Sequence, residues 1–199
     1  MDNKHMLAAI FSLGIKGEKA DAKGLAKRLG LKTSEARREV ALLEKLGMVE
    51  TEGGWARLTP RGRKSIKVVF IGGGFELIHY GHVYTISKAR ALGDALVVSV
   101  ARDSTIRKRK KREPMINEKD RVTLLSSLRQ VDAAILGVEG DIYVTLERVK
   151  PDIVALGYDQ YHLEGEVKRE ARKRGMKLRV VRLDSPYPEI KTTRILKDF

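Results

Sequence analysis

Apolar positions in the first fifty residues recur only at helical spacings. Met6, Ile10, Leu13 and Ile15 form one stripe, Ala22, Leu25, Ala26, Leu29 and Leu31 a second, and Ala36, Val40, Leu43 and Leu46 a third. The breaks fall at residues 14–17 and 30–34, with Thr33 and Ser34 where a helix N-cap belongs and Gly47 placed to end the third helix. Residues 48–51, a Gly53-Gly54 turn and residues 55–59 predict a β-hairpin with Trp55 in its core. From residue 66 the pattern changes. Apolar runs at residues 67–71, 95–100, 133–136, 152–156 and 178–181 predict strands, and helical stretches are expected at 81–92, 117–129, 141–149 and 163–174. The run Ala95-Leu96-Val97-Val98 is apolar on both faces, as in a parallel strand covered on both sides.

Three helices followed by a hairpin are the pattern of a winged helix, and the second and third have helix-turn-helix spacing. Alternation of strand and helix predicts an α/β fold with a Rossmann-like, doubly wound parallel sheet. The expected organisation is a winged helix-turn-helix domain over residues 1–65 and a second domain over residues 66–199, joined by a linker at 61–65.

Composition narrows the chemistry. At 42% hydrophobic residues the chain can build a core, which excludes a wholly disordered protein. The absence of cysteine excludes disulfides, thiolate catalysis and cysteine-ligated metal, and no His/Asp/Glu spacing suggests a structural metal site. No apolar run approaches the length of a membrane span and the first residues do not form a signal peptide, so the expected location is cytoplasmic with no membrane partner. Forty Lys+Arg against 26 Asp+Glu give a net charge of +14, which points to a polyanionic partner. Residues 1–65 carry 14 basic and 8 acidic groups, a net of +6; residues 66–199 carry 26 and 18, a net of +8. Six of the latter charges lie in one run, residues 107–112. Such a run reads as a loop closing over a polyanion, as a solvated surface loop or as a nucleic-acid contact.

One motif stands out. His79-Tyr80-Gly81-His82 follows the first strand of the second half, three glycines (72–74) and Phe75, and it opens a helix. Glycines at a strand end let backbone N–H groups approach a phosphate, and a helix N-terminus adds partial positive charge. Histidines at i and i+3 share a helical face, where two imidazoles can donate hydrogen bonds to charge building on a phosphoryl group. Gly81 keeps side-chain bulk away from the nucleotide.

Two resemblances follow. Residues 3–64 resemble the winged-helix domains of many small archaeal and bacterial regulators, on the phrase Ala41-Leu42-Leu43-Glu44-Lys45-Leu46-Gly47-Met48-Val49 and the wing ending Leu58-Thr59-Pro60-Arg61-Gly62. In that family the third helix enters the DNA major groove. The resemblance implies that Arg37, Arg38 and Lys45, with Lys32 beside them, would face DNA.

Residues 66–199 resemble the nucleotidylyltransferase superfamily, in its small cytidylyltransferase-like branch, and there look most like archaeal FAD synthases. The carriers are Gly73-Gly74-Phe75-Glu76, then His79 to His82, the phrase Ala101-Arg102-Asp103-Ser104-Thr105, and Lys111, Arg112, Pro114, Glu118 and Arg121. Pro151-Asp152-Ile153-Val154, Gly157-Tyr158-Asp159-Gln160 and Ile190-Lys191-Thr192-Thr193 complete them. The implied reaction is in-line attack of a substrate phosphate on the α-phosphate of a nucleoside triphosphate with Mg²⁺, releasing pyrophosphate without a covalent intermediate.

By resemblance His79 and His82 would bind the triphosphate and stabilise the transition state. Gly73, Gly74 and Phe75 would form the phosphate turn, and Lys111 or a neighbour would hold acceptor or leaving phosphates. Arg121 would support the phosphates, Gly157 and Asp159 would line the base and ribose site, and Thr192 and Thr193 would cap the pyrophosphate. The expected substrates are ATP and FMN, giving FAD; a homodimer is a further expectation. Gly74, Glu76 and Lys191 stand where the family has Thr, Asp and Ser. Those departures keep two alternatives open: a CTP-dependent enzyme acting on glycerol 3-phosphate or a similar alcohol phosphate, and a winged-helix transcription regulator whose second domain senses a nucleotide or flavin.

Overall fold

A computed structural model describes residues 3–187 and 189. The chain divides into two compact units, residues 1–67 and 68–199. Among the described residues no helix is long and apolar enough to cross a membrane.

The first unit contains α1 (Asn3–Lys16), α2 (Ala22–Leu29), α3 (Thr33–Lys45), the antiparallel strands β1 (Val49–Glu52) and β2 (Trp55–Leu58), and α4 (Pro60–Lys64). Its core is built from the helical stripes: Met6, Leu7, Ile10, Leu25, Ala36, Leu43 and Val49 are all at most 2% exposed. Each large apolar side chain so buried contributes about 1.5–3 kcal/mol. Asp21 caps α2 by accepting the Gly24 N–H at 2.7 Å, and Gly53 and Gly54, at φ 58° and 83°, make the tight hairpin turn.

Three local expectations are corrected. Helix α3 starts one residue early, with Lys32 as N-cap; its N–H is held by the Glu35 carboxylate at 2.8 Å, so Thr33 and Ser34 lie inside the first turn. The expected linker at 61–65 is mostly helix α4, because Thr59 accepts the Gly62 N–H and Pro60 supplies a preset φ at the first helical position. Trp55 is 44% exposed, with the Lys19 ammonium 3.7 Å from its ring centre, so it lies outside the hairpin core.

The second unit runs β3 (Val68–Gly73), α5 (Tyr80–Arg90), β4 (Ala95–Val100), α6 (Asp103–Lys110), α7 (Glu118–Ser126), β5 (Ala133–Leu136), α8 (Ile142–Val149), β6 (Ile153–Leu156), α9 (Glu164–Lys173) and β7 (Arg179–Arg182). These strands form one parallel sheet in the order β5-β4-β3-β6-β7. The chain moves outward from β3 through β4 to β5, then returns to β6 on the other side of β3. That reversal places a crevice outside the carboxyl ends of β3 and β6, where open α/β sheets bind ligands. Every residue of β4 is buried, as a central strand covered on both faces requires. Two carboxylates set strand starts: Asp152 accepts the Val68 N–H at 2.7 Å and Asp132 the Leu96 N–H at 2.8 Å.

The charge run departs from its expected loop. Residues 107–110 continue helix α6, and Lys111 ends it in the left-handed conformation at φ 54°. Asp103 begins α6 and favours its N-terminal end, while the cations occupy its C-terminal turn, the arrangement that the helix dipole favours.

Candidate active site

The site is built on the carboxyl end of β3. Gly73 closes the strand, its carbonyl accepting the Ala101 N–H at 2.9 Å. The chain then turns through Gly74 and Phe75, the latter in the left-handed region at φ 50° despite its side chain. A Cβ on Gly73 would stand 2.9 Å from the Phe75 ring, so the turn and the ring require glycine there.

The turn leads into α5, with His79 as its N-cap in extended conformation. The His79 and His82 rings pack at 3.9 Å between centres with a 39° tilt, and Phe75 lies 5.4 Å from His82. The Nδ1 atoms of both histidines are buried with no hydrogen-bond partner. Buried polar atoms are normally paired, so two orphans side by side at a helix N-terminus mark a place prepared for a ligand. Burial pushes the pKa of His82 down to about 4, helped by the neighbouring His79 and opposed by the Leu77 backbone. Burial also lowers that of His79, against an opposing pull from the Asp159 carboxylate. Both rings are therefore neutral near pH 7, and a phosphate brought between them would raise both pKa values.

The cations arrive from α6 and the segment after it. Glu76 is 1% exposed, and burial by itself would raise its pKa. Hydrogen bonds from Arg112 and Lys110 outweigh that burial and hold its carboxyl below the usual range. Arg112 donates to both Glu76 oxygens, at 2.7 and 3.1 Å, and Lys110 pairs with Oε2. Lys110 and Arg112 remain partly exposed, so Glu76 fixes two cations at the mouth of the turn without consuming all their donors. Lys111, the residue expected to hold phosphates, is exposed and forms the helix C-cap, so the structure brings its two neighbours to the site instead. Helical spacing offered a clue. Ile106 is the apolar residue of α6 and is buried, and Lys110 lies four positions on, over the same face.

Arg121 is completely buried. Its guanidinium donates to the Ile116 carbonyl at 2.9 Å, to the Gly74 carbonyl at 2.6 Å and to Asp103 at 2.5 Å. Asp103 in turn exchanges hydrogen bonds with Glu118, which also pairs with Arg102 at 2.6 Å. Arg121 thus holds the backbone of the glycine turn at Gly74 from within the core.

The opposite wall follows β6. Gly157 is buried, and Asp159 is exposed but close enough to influence His79. Gln160, not singled out as a site residue in the sequence, donates to the Gly72 carbonyl at 2.5 Å and ties this loop to the end of β3. Arg182 donates to the carbonyls of Gly157, Gln160 and His162, at 2.9, 3.2 and 2.6 Å. Thr192 and Thr193 lie outside the described residues. Arg37, Arg38 and Lys45 belong to the first unit, where all three are exposed on α3.

The profile of the cytidylyltransferase-like family matches residues 70–198. The chain is similar to a FAD synthase of Aciduliprofundum boonei, 51% identical over 115 residues that cover 58% of this chain and 76% of that protein. It is similar to a FAD synthase of Methanothermus fervidus, 48% identical over 130 residues that cover 63% of this chain and 89% of that one. Among solved structures it is similar to a lipopolysaccharide core biosynthesis protein from Thermoplasma volcanium, at 42% identity and a TM-score of 0.59, covering 60% of this chain and 98% of that one.

Proposed function

Because the chain belongs to the cytidylyltransferase-like family, we propose that it is a nucleotidylyltransferase that joins ATP to FMN, forming FAD and pyrophosphate. The observation that carries the reaction is the pair of neutral imidazoles with orphaned Nδ1 atoms beside the glycine turn at the end of β3. The acceptor rests on the similarity to FAD synthases.

In this reading an oxygen of the FMN phosphate attacks the α-phosphorus of ATP. The new P–O bond forms as the bond to the β-phosphate oxygen breaks, and the electron pair leaves on pyrophosphate. No proton is needed from the protein, so its work is to position the reactants and stabilise charge. His79 and His82 meet the α-phosphoryl oxygens at the N-terminus of α5. Lys110 and Arg112, held by Glu76, face the charge accumulating on the leaving pyrophosphate. Gly157 and Asp159 border the nucleoside. Among the described residues no cluster of three His, Asp or Glu side chains could hold a metal ion, and the Glu76 carboxylate is already taken by two cations. Magnesium would enter with the triphosphate as MgATP, bound by phosphate oxygens and water.

The test is direct. Purified protein with magnesium, ATP and FMN is expected to yield FAD and pyrophosphate in equal amounts, resolved by flavin chromatography. A product formed only from CTP and an alcohol phosphate such as glycerol 3-phosphate, with no FAD, would assign the chain to the cytidylyltransferase alternative.

For the first unit we infer a winged-helix domain that contacts DNA, on the observation that Arg37, Arg38 and Lys45 are all exposed on α3. Its affinity for duplex DNA is expected to fall steeply with salt, by about 0.9 in log K per phosphate contact for each unit of log salt. A salt-independent affinity in a gel-shift titration would refute phosphate contacts by these residues.

A further inference from the structure

The strand order sets β4 and β6 on either side of β3, so the segments that follow them flank the same strand end. Each is tied to it separately: the α6 side through Lys110 and Glu76, the β6 side through Gln160 and the Gly72 carbonyl. Next to these two ties the flanking segments touch one another. The Arg109 guanidinium carbon lies 4.2 Å from the centre of the Tyr161 ring, and that ring packs on His162 at 4.0 Å with a 38° tilt.

Three other cations of the run have carboxylate partners. Arg107 pairs with Glu113 at 2.8 Å, and Lys110 and Arg112 pair with Glu76. Arg109 instead meets an aromatic face on the far wall. Tyr161 is 60% exposed, so the contact is a solvent-facing cation–π pair, weak enough to open and re-form rapidly. The wall that it meets is held from behind: Arg182 binds the Gly157, Gln160 and His162 carbonyls and pairs with Glu164 at 3.3 Å. The contact thus joins an exposed cation at the end of α6 to a braced loop across the β3/β6 crevice.

We propose that Arg109 and Tyr161 form a latch that opens to admit the nucleoside triphosphate and closes over it, making both of them positioning residues for the reaction. This rests on the reading that the crevice binds the nucleotide. It goes beyond that reading in assigning the retention of nucleotide to a single contact between side chains remote from the reacting phosphorus.

The chain has no cysteine, so a pair of introduced thiols is unique. In Arg109→Cys/Tyr161→Cys, a short bis-methanethiosulfonate cross-link is expected to stop entry of a fluorescent ATP analogue, and dithiothreitol is expected to restore it. Unimpeded entry into the cross-linked protein overturns the latch. Without a cross-link, Arg109→Ala and Tyr161→Ala are each expected to release the analogue two- to five-fold faster, the worth of one exposed cation–π contact. The double alanine variant is expected to be no faster than either single one, and Tyr161→Phe, which keeps the ring, to behave as wild type. Turnover number is expected to stay within about twofold while KM for ATP rises, a split that general loosening of the fold would not produce. Unchanged release in both alanine variants overturns the proposal. Wild-type protein that binds the analogue yet makes no FAD would refute FMN as acceptor, with the latch still decided by the release rates. Wild-type protein that binds neither ATP nor CTP overturns both.

Discussion

Replacing His82 with alanine is expected to lower nucleotidyl transfer by about two to three orders of magnitude, the usual cost of removing one preorganised donor from a developing oxyanion. The ring sits at the N-terminal turn of α5, 3.9 Å from His79, with its Nδ1 buried and without a partner. The loss should fall mainly on kcat, because the interaction strengthens as charge builds on the α-phosphoryl group. Flavin product formed per unit time by the variant and the wild type measures it. A loss below tenfold would remove His82 from the reaction.

The same substitution has a signature that does not depend on turnover. The pKa of His82 is pushed down to about 4 in the folded protein, against about 6.5 for an unperturbed histidine. Between those values the unfolded chain binds more protons than the folded one, so stability rises with pH across that window. Wild type is therefore expected to lose on the order of 2–3 kcal/mol through this residue as pH falls from 6.5 to 4, after allowance for the partial exposure of the ring. His82→Ala lacks that loss, although it is less stable near neutrality through the cavity left behind. Urea unfolding of both proteins from pH 7.5 to 4.5 compares the slopes. Parallel slopes would mean that His82 titrates as an ordinary histidine. Binding of a phosphate raises the same pKa, so ATP binding near pH 6 should draw protons from the buffer.

The second large effect is expected at Arg121, whose side chain is completely buried. Arg121→Met should cost about 3–5 kcal/mol of stability, the range found when one member of a buried ion pair is removed. The Asp103 carboxylate would lose its buried partner, and the Gly74 and Ile116 carbonyls would lose donors. Arg121→Lys keeps the charge but cannot span three acceptors as a planar guanidinium does, so it should recover only a minor part of the loss. Because Gly74 forms the turn next to the histidines, the lysine variant is also expected to show reduced turnover even where it remains folded. Urea midpoints measure the first effect and flavin production the second. A destabilisation under about 1 kcal/mol for Arg121→Met would show that the network adds little to the fold.

These predictions fall on residues that were not equally visible in the sequence. The two histidines were plain, because a spacing of three at the start of a helix is local and their neighbours Gly73, Gly74 and Phe75 lie within a few positions. The five strands were plain for the same reason: an unbroken apolar run such as 95–100 is read without knowledge of its partners. Arg121 was visible as a residue but its task was not, since the Gly74 carbonyl that it holds is 47 positions away. The run at 107–112 offered six cations of equal standing, and its helical phase became clear only with α6 in place. Trp55 misled because alternation says which residues of a hairpin share a face, while the packing of that face depends on the rest of the unit.

By itself the sequence determined the alternation of elements, the hydrophobic faces, the parallel α/β class and the phosphate-directed motif at residues 73–82. These follow from periodicity and from interactions within a turn or two of chain, where spacing dictates geometry. Tertiary structure decided which strand neighbours which, and with it everything that crosses the crevice. It selected Lys110 and Arg112 over Lys111, gave Glu76 a buried counter-ion role, turned Arg121 inward and set Arg109 against Tyr161. Those pairings join residues well apart in sequence: β4 beside β3 brings α6 and α7 to the glycine turn, and the return of the chain from β5 to β6 on the other side of β3 brings Tyr161 to Arg109.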